Sequence, residues 1–330
     1  MQRVGLIGAG KIGRFHSRTL TSQVPTLQLA AVADAEPAAA QALADEVGCE
    51  ATDVDTLLGT VDAVLITTPP DTHAELIVKA AAAGRQVFCE KPLATTVEDA
   101  RRALDAAESA GVLLQIGYNR RFDDRFRDVR DAVAQGRIGT PWLIRISSRD
   151  PAPPPAAYLP HSGGVFLDTT SHDLDLARFV LGAEITEVAV RGASLVDPNA
   201  AALGDVDTVV LSLAFSNGAF GAIDNCRVSA YGYDQRLEVH GSGGLAAAGN
   251  ERRPNATLAD AAGFHEPTLP DFYIDRYGRA FVRELESFAN ALEGGEVEVS
   301  GRDGLAAVVA ATAARRALDE NRVVRIEELE

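Results

Sequence analysis

Cysteine is scarce in this chain of 330 residues. Cys49, Cys89 and Cys226 are an odd number without metal-ligand spacing, so a disulfide framework is excluded and reduced cytosolic thiols are expected. Basic residues are in deficit, with 31 Lys and Arg against 47 Asp and Glu for a formal charge of -16. They form no cluster, which argues against nucleic acid and anionic membrane as partners, because both reward grouped cations. A phosphate-bearing cofactor is still allowed, since backbone amides can hold one locally. No apolar run approaches the roughly 20 residues that span a bilayer. No signal segment precedes the strand-like Arg3 to Ile7, so a cytoplasmic location is expected. Neither internal repeats nor blocks of like charge are visible.

The length predicts two domains with ample buried core. Strand and helix signals alternate in the first part. Strands are expected at Arg3 to Ile7, Leu27 to Ala33, Ala63 to Thr67, Gln86 to Cys89 and Val112 to Ile116. Helices are expected at Lys11 to Thr21, Pro37 to Val47, Thr72 to Ala83 and Thr96 to Ala110. That alternation predicts a parallel, doubly wound sheet with ligands at the carboxyl ends of its strands. The rhythm changes near residue 120. Phe122, Phe126, Val129 and Val133 predict an amphipathic helix. Strand-like alternation follows at Trp142 to Ser148, Glu187 to Ala193, Thr208 to Phe215, Ala219 to Asn225 and Arg236 to His240, with Asn217-Gly218 as a two-residue hairpin turn. Phe281, Leu285, Phe288 and Leu292 mark a late helix, and Leu305 to Leu318 another. The expected fold is α/β: a dinucleotide-binding domain at residues 1–120, then an α+β domain at 121–330 with an open, largely antiparallel sheet. The last helix is a candidate to pack back on the first domain. Two irregular stretches, Arg149 to Gly164 and Gly249 to Phe272, are candidate site loops.

Gly8-Ala9-Gly10-Lys11-Ile12-Gly13 fits G-x-G-x-x-G, and it follows a strand and opens a helix as the Rossmann fingerprint requires. Gly8 permits a tight turn, Gly10 close approach of a pyrophosphate, and Gly13 close packing of helix on strand. Asp34 ends the second strand, 21 residues after Gly13. A carboxylate there accepts from ribose hydroxyls and repels a 2′-phosphate, and Ala35-Glu36-Pro37 offers no cation to offset that repulsion. NAD is therefore favoured over NADP.

Glu90-Lys91-Pro92 follows a predicted strand. Taken alone, Lys91 reads as a surface lysine and His172 as a capping or core histidine. The whole set changes that reading. Thr68-Pro69-Pro70 with His73, then Glu90-Lys91-Pro92, then Gly163-Gly164-Val165-Phe166-Leu167-Asp168 and Ser171-His172-Asp173-Leu174-Asp175, and finally Gly301-Arg302-Asp303-Gly304-Leu305, resembles the Gfo/Idh/MocA oxidoreductase family along essentially the whole chain. Within it the chain is most similar to the inositol 2-dehydrogenases, on three strings: Gly117 to Asp123, Ser148 to Pro155 and Tyr231 to Arg236. It differs from several of them in carrying Thr169-Thr170-Ser171 where a bulkier apolar run is usual.

The resemblance implies NAD-dependent oxidation of a secondary hydroxyl of an inositol, with another sugar or polyol as the alternative substrate. A non-catalytic NAD-binding sensor is the reading from another class. A homotetramer built by sheet packing is also implied. By motif position Lys91, Asp168 and His172 match the catalytic trio. Gly8, Gly10, Lys11, Ile12, Gly13, Asp34, Thr68, Pro69, His73, Glu90 and Lys91 would hold the cofactor. Asn119, Arg120, Asp150 and one of Tyr231 and Tyr233 would meet the substrate. The chemistry suits these residue types. A histidine takes the hydroxyl proton, an aspartate four residues earlier on a helix orients it, and a lysine stabilises the developing alkoxide. Tyr231 and Tyr233, two apart, are expected on one face of a strand. His16 is expected to pack in the first helix. No metal is expected, because three of the six histidines are isolated from any acidic or cysteine partner at ligand spacing.

Overall fold

The computed structural model describes residues 1–250, 257–266 and 268–329. The chain forms two compact units: Met1–Phe122 with His161–Gly163 and Arg279–Val308, and Asp123–Pro160 with Gly164–Gly278 and Val309–Glu330. The first unit is thus discontinuous, taking residues from late in the chain.

In the first unit, β1 (Gln2–Ile7), α1 (Lys11–Gln23), β2 (Leu27–Ala33), α2 (Pro37–Val47), β3 (Glu50–Ala51), α3 (Val54–Thr60), β4 (Ala63–Ile66), α4 (His73–Ala82), β5 (Gln86–Glu90), α5 (Val97–Ala110) and β6 (Leu114–Gly117) follow in order. The strands form a six-stranded parallel sheet ordered β3-β2-β1-β4-β5-β6. Val4 to Ile7 and Ala63 to Ile66 are buried without interruption, as expected of parallel strands covered on both faces. β3 and α3 have too short a pattern to be seen in the sequence. Thr96 caps α5 by accepting from the Asp99 amide at 3.1 Å.

The second unit contains α6 (Asp124–Ala134), β7 (Pro141–Arg149), α7 (Ser171–Leu181), β8 (Ile185–Ala193), α8 (Pro198–Ala202), β9 (Thr208–Phe215), β10 (Phe220–Cys226), β11 (Asp234–Gly241), β12 (Gly244–Ala248) and the small hairpin β13 (Leu258–Asp260) and β14 (Gly263–His265). Two long helices, α9 (Tyr273–Leu292) and α10 (Gly301–Glu320), and the short β15 (Val324–Arg325) complete the chain. Its seven-stranded sheet runs β12-β11-β7-β10-β9-β8-β15 and is antiparallel except for the β7–β10 pair. The inward rows, Ile144 and Ile146, Val209, Leu211 and Leu213, Leu237 and Val239, are buried, while Val210 and Phe220 on the other face are exposed. The β9–β10 connection is not the expected two-residue turn. The Gly218 amide donates to Phe215 O at 2.9 Å, and the strands rejoin at Phe215 N to Ala219 O, so three residues form the loop. Such loops combine a type I turn with one left-handed residue, and only Gly218 has a positive φ here.

The Gly249 to Phe272 stretch, expected irregular, carries the β13–β14 hairpin; Glu251–Ala256 and Pro267 lie outside the described residues. Among the described residues no helix is long and apolar enough to cross a membrane.

The apolar stripe of α9 explains its place. Leu285 and Phe288 are fully buried in the core of the parallel sheet, with Leu6, Leu65 and Phe88. Phe88 and Phe288 meet edge to face at 5.7 Å. Phe288→Ala should therefore cost about 3–5 kcal/mol, seen as a lower urea midpoint with an unchanged slope. A change below about 1 kcal/mol would show that this contact is not core.

Candidate active site

The cofactor edge is built from the carboxyl ends of β1, β2, β4 and β5. Gly8 has φ +106, and a Cβ there would lie 2.7 Å from the Thr67 carbonyl carbon. A Cβ on Gly13 would lie 1.9 Å from Gly8 O. Gly8 is therefore restricted to glycine by conformation and by space, and Gly13 by space alone. Gly10, by contrast, opens on empty space at the N-cap of α1, where no side chain caps the helix. A helix N-terminus without a side-chain cap, behind an open cradle, fits a pyrophosphate. Lys11 is exposed and Ile12 half-buried on the first turn.

Asp34 is half-buried at the end of β2. Its Oδ2 accepts from the Ala9 amide at 2.6 Å and its Oδ1 from the Glu36 amide at 2.8 Å. It thus ties the glycine loop to β2 while keeping lone pairs for ribose hydroxyls. Thr68 is half-buried and Pro69 exposed after β4, and the Thr68 hydroxyl accepts from Thr72 at 2.7 Å. His73 is the fully buried first residue of α4. Its Nδ1 lies 2.7 Å from Pro92 O and its Nε2 2.9 Å from Thr68 O, so the ring joins the loop after β4 to the loop carrying Lys91. Burial, acting against those two contacts, holds its pKa below the ordinary value. Lys91 is half-buried directly beyond β5. Asn119 and Arg120 are buried in a 3-10 turn after β6, the neighbour of β5.

The second unit supplies the other residues singled out in the sequence. Asp168 lies in a π-helical turn, Phe166–Thr170, that runs directly into α7, where His172 is the second residue. The pair is therefore not four apart on a regular α-helix, as expected. A π turn is wider and re-aims the side chains beside it, a device found mostly at functional sites. The Asp168 carboxylate accepts from Tyr158 OH at 3.0 Å and from Arg227 Nη2 at 3.4 Å. Arg227 is fully buried, and its Nη1 lies 3.6 Å from Asp205, which also accepts from the Val165 amide at 3.0 Å and faces Arg315 at 3.9 Å. One guanidinium thus sits between Asp168 and the carboxylate that caps the incoming turn. Burial first, then the Asp168 charge, push the Tyr158 phenol pKa up, so the hydroxyl keeps its proton to donate. Asp173, beside His172, is buried and accepts from Ser148 Oγ and Asn225 Nδ2, each at 2.7 Å, which pins the start of α7 to β7 and β10.

Two of the three strings that suggested an inositol enzyme, Ser148 to Pro155 and Tyr231 to Arg236, meet each other. Arg149 pairs with Asp224 at 2.6 Å and donates to Tyr231 OH at 2.8 Å, and Tyr231 donates to Asp234 at 2.8 Å. Asp150 is half-buried, its amide donating to Cys226 O. Tyr231 and Tyr233 do not share a strand face. Both precede β11, and Gly232 between them has φ +108, which turns the chain. Tyr231 is 51% exposed, whereas Tyr233 is 5% exposed and stacks edge-on against Tyr277 at 6.1 Å.

Three residues escaped the sequence reading. Tyr158 lies in the Arg149 to Gly164 stretch expected to be a site loop, and Arg227 just beyond β10, but only the fold brings these two side chains to Asp168. Glu284 had a signal: it is three residues from Phe281, on the apolar stripe of α9. His16 is not simply packed, since its Nε2 lies 2.6 Å from Glu90 Oε1.

Residues 2–118 match the model of the oxidoreductase family with the NAD-binding Rossmann fold, and residues 126–247 that of the GFO/IDH/MocA C-terminal domain. The chain is 45% identical over 327 residues to the inositol 2-dehydrogenase of Rhizobium meliloti, covering 98% of this chain and 99% of that one. The chain belongs to the GFO/IDH/MocA oxidoreductase family. It is 41% identical to the myo-inositol 2-dehydrogenase of Thermotoga maritima, covering 99% of each. Among solved structures, the Lactobacillus casei scyllo-inositol dehydrogenase with bound NAD(H) and scyllo-inositol superposes with a TM-score of 0.91 at 28% identity, covering 99% of both chains.

The Asp168 contacts predict different outcomes for their two donors. Tyr158→Phe should lower kcat roughly tenfold with KM for NAD unchanged, the loss expected for one hydrogen bond to a charged group. Arg227→Leu leaves two carboxylates without their buried cation and should cost about 3–5 kcal/mol in a denaturant melt. Full activity of the first variant would remove Tyr158 from the site.

Proposed function

We propose that this protein oxidises a secondary hydroxyl of an inositol, myo-inositol to its 2-keto product, with NAD as the oxidant. The observation that carries the reading is the near full-length likeness to inositol 2-dehydrogenases. The glycine cradle at Gly8, Gly10 and Gly13, with Asp34 at the end of β2, supports NAD. Bound there, the cofactor supplies the hydride acceptor.

The side chains do the rest. His172 takes the hydroxyl proton as general base. Asp168, held by Tyr158 and Arg227, orients the imidazole and balances its positive charge. Lys91 donates to the same oxygen as alkoxide character develops. Asn119, Arg120 and Asp150 bond the remaining hydroxyls, and the Tyr231–Tyr233 segment lines the substrate. Thr68, Pro69, His73 and Glu90 shape the wall around the cofactor.

We further read the protein as a cytoplasmic homotetramer. Its three cysteines are free, as suits a reducing compartment. The outer face of the seven-stranded sheet exposes Phe220 and Val210, at 63% and 56%, a face suited to a second copy of the chain.

A panel of inositols, sugars and other polyols, assayed for NAD reduction, tests the substrate. Turnover should be fastest with an inositol; a preference for glucose-type sugars would move the assignment within the family. His172→Ala should lose about 10²- to 10⁴-fold in kcat while still binding NAD. Wild-type turnover in that variant would remove His172 from the chemistry. Phe220→Asp should lower the mass measured by light scattering; an unchanged mass would place the interface elsewhere.

A further inference from the structure

The apolar stripe of α9 carries a carboxyl group. Glu284 is fully buried, and neither of its oxygens has a hydrogen-bond partner. A ligand atom of Glu284, one of His16 and one of Glu90 all lie within 4.8 Å of one another. His16 is also fully buried, its Nδ1 is without a partner, and the rings of Phe15, Phe88 and Phe281 surround it edge-on at 5.6–6.1 Å. Gln115 on β6 donates to the Glu284 carbonyl at 3.0 Å, fixing α9 at this point.

A divalent cation and a shared set of protons could each reconcile two carboxyls with an imidazole. Geometry separates them. Ligands about 2.0–2.1 Å from a tetrahedral metal sit roughly 3.3 Å apart. His16 Nε2 and Glu90 Oε1 are at 2.6 Å, a separation that requires a proton between them. If Glu284 were ionised as well, an uncompensated charge would be buried among aromatic edges, which costs several kcal/mol. If Glu284 holds a proton, that second buried charge is removed and the acid sits beside the His16–Glu90 pair.

We propose that His16, Glu90 and Glu284 form a buried proton-holding cluster, with Glu284 a neutral carboxylic acid beside the His16–Glu90 pair, and that this cluster positions Lys91 by fixing the residue before it. Burial first, then the Glu90 charge, push the Glu284 carboxyl well above its ordinary range. Other titratable groups facing this strand end include Cys89, His73 and Lys91: burial first, then the Glu90 charge, push the Cys89 thiol up, while burial holds the His73 ring down, with the Glu90 charge drawing it up and the Lys91 charge down. Glu284 and Glu90 are positioning residues in this scheme. The part concerning Lys91 rests on the proposed dehydrogenase reading.

The sign of the pH effect follows. A carboxyl whose pKa is raised by folding contributes its stability fully below its unfolded pKa, and that contribution is lost as pH rises through the folded value. Glutamine keeps the shape of the neutral acid and cannot ionise. The melting temperature of Glu284→Gln should therefore gain on the wild type by a few degrees between about pH 5 and pH 9. The alkaline limb of kcat should move upward in the same variant, with KM for NAD unchanged. Infrared spectra of the wild type should show a protonated-carboxyl band near neutral pH that disappears at alkaline pH, a readout independent of activity and of whether the variant folds. A pH-independent difference in melting temperature, or no such band, overturns the proposal. So does a stoichiometric metal in the wild-type protein whose removal by chelator lowers the melting temperature. If the infrared band is present but no alcohol is oxidised, the cluster stands and the dehydrogenase reading falls.

Discussion

The backbone of β1 and the first turn of α1 approach so closely at Gly8 and Gly13 that a single methyl group would collide with a carbonyl oxygen 1.9 Å away. Thr67 completes the contact, its hydroxyl donating to Gly8 O at 2.8 Å and Ile7 O at 3.1 Å. This contact sets where α1 begins and leaves its first amides uncapped at Gly10. It also joins β1 to β4, the two strands between which the order of the sheet reverses. Ligands of doubly wound sheets gather at that reversal. Asp34, Thr68 and Lys91 acquire a functional sense only because they end strands on the same edge.

Buried charge is managed differently in the two units. In the second, Arg227 is fully buried and satisfied electrostatically by Asp168 and Asp205. An ion group of this kind gives little net stability, but removing one member is costly, so it holds its members in place. Asp168 thereby gets a fixed position from a residue 59 positions away in the chain. In the first unit, neither oxygen of Glu284 has a hydrogen-bond partner among the described residues. Low polarity around it raises the cost of ionisation, and a proton is the cheapest remedy.

Much of this was legible in the sequence. Continuous apolar runs such as Ala63 to Ile66 mark parallel strands, because both faces are covered. Alternation such as Thr208 to Phe215 marks a sheet with one open face. The glycine fingerprint was readable because its meaning depends on a strand before it and a helix after it, both short-range signals. The relation between Asp168 and His172 was readable only in part: spacing placed them near each other, but the π turn that carries Asp168 leaves no periodic trace. Tyr231 and Tyr233 have the spacing of a strand pair, but Gly232, with φ +108, turns the chain between them and leaves no periodic mark.

What the sequence determined by itself is local: the alternation of strands and helices, the glycine loop, the Asp34 carboxylate and the family to which the motifs belong. These follow from patterns within about 20 residues, where backbone geometry and burial period leave direct marks. Tertiary structure alone decided which distant side chains share a charge. Arg227 and Tyr158 reach Asp168, and Glu284 reaches His16 and Glu90, through the register of sheets and the docking of a late helix. Such contacts are set by packing between elements far apart in the chain, and no spacing rule records them.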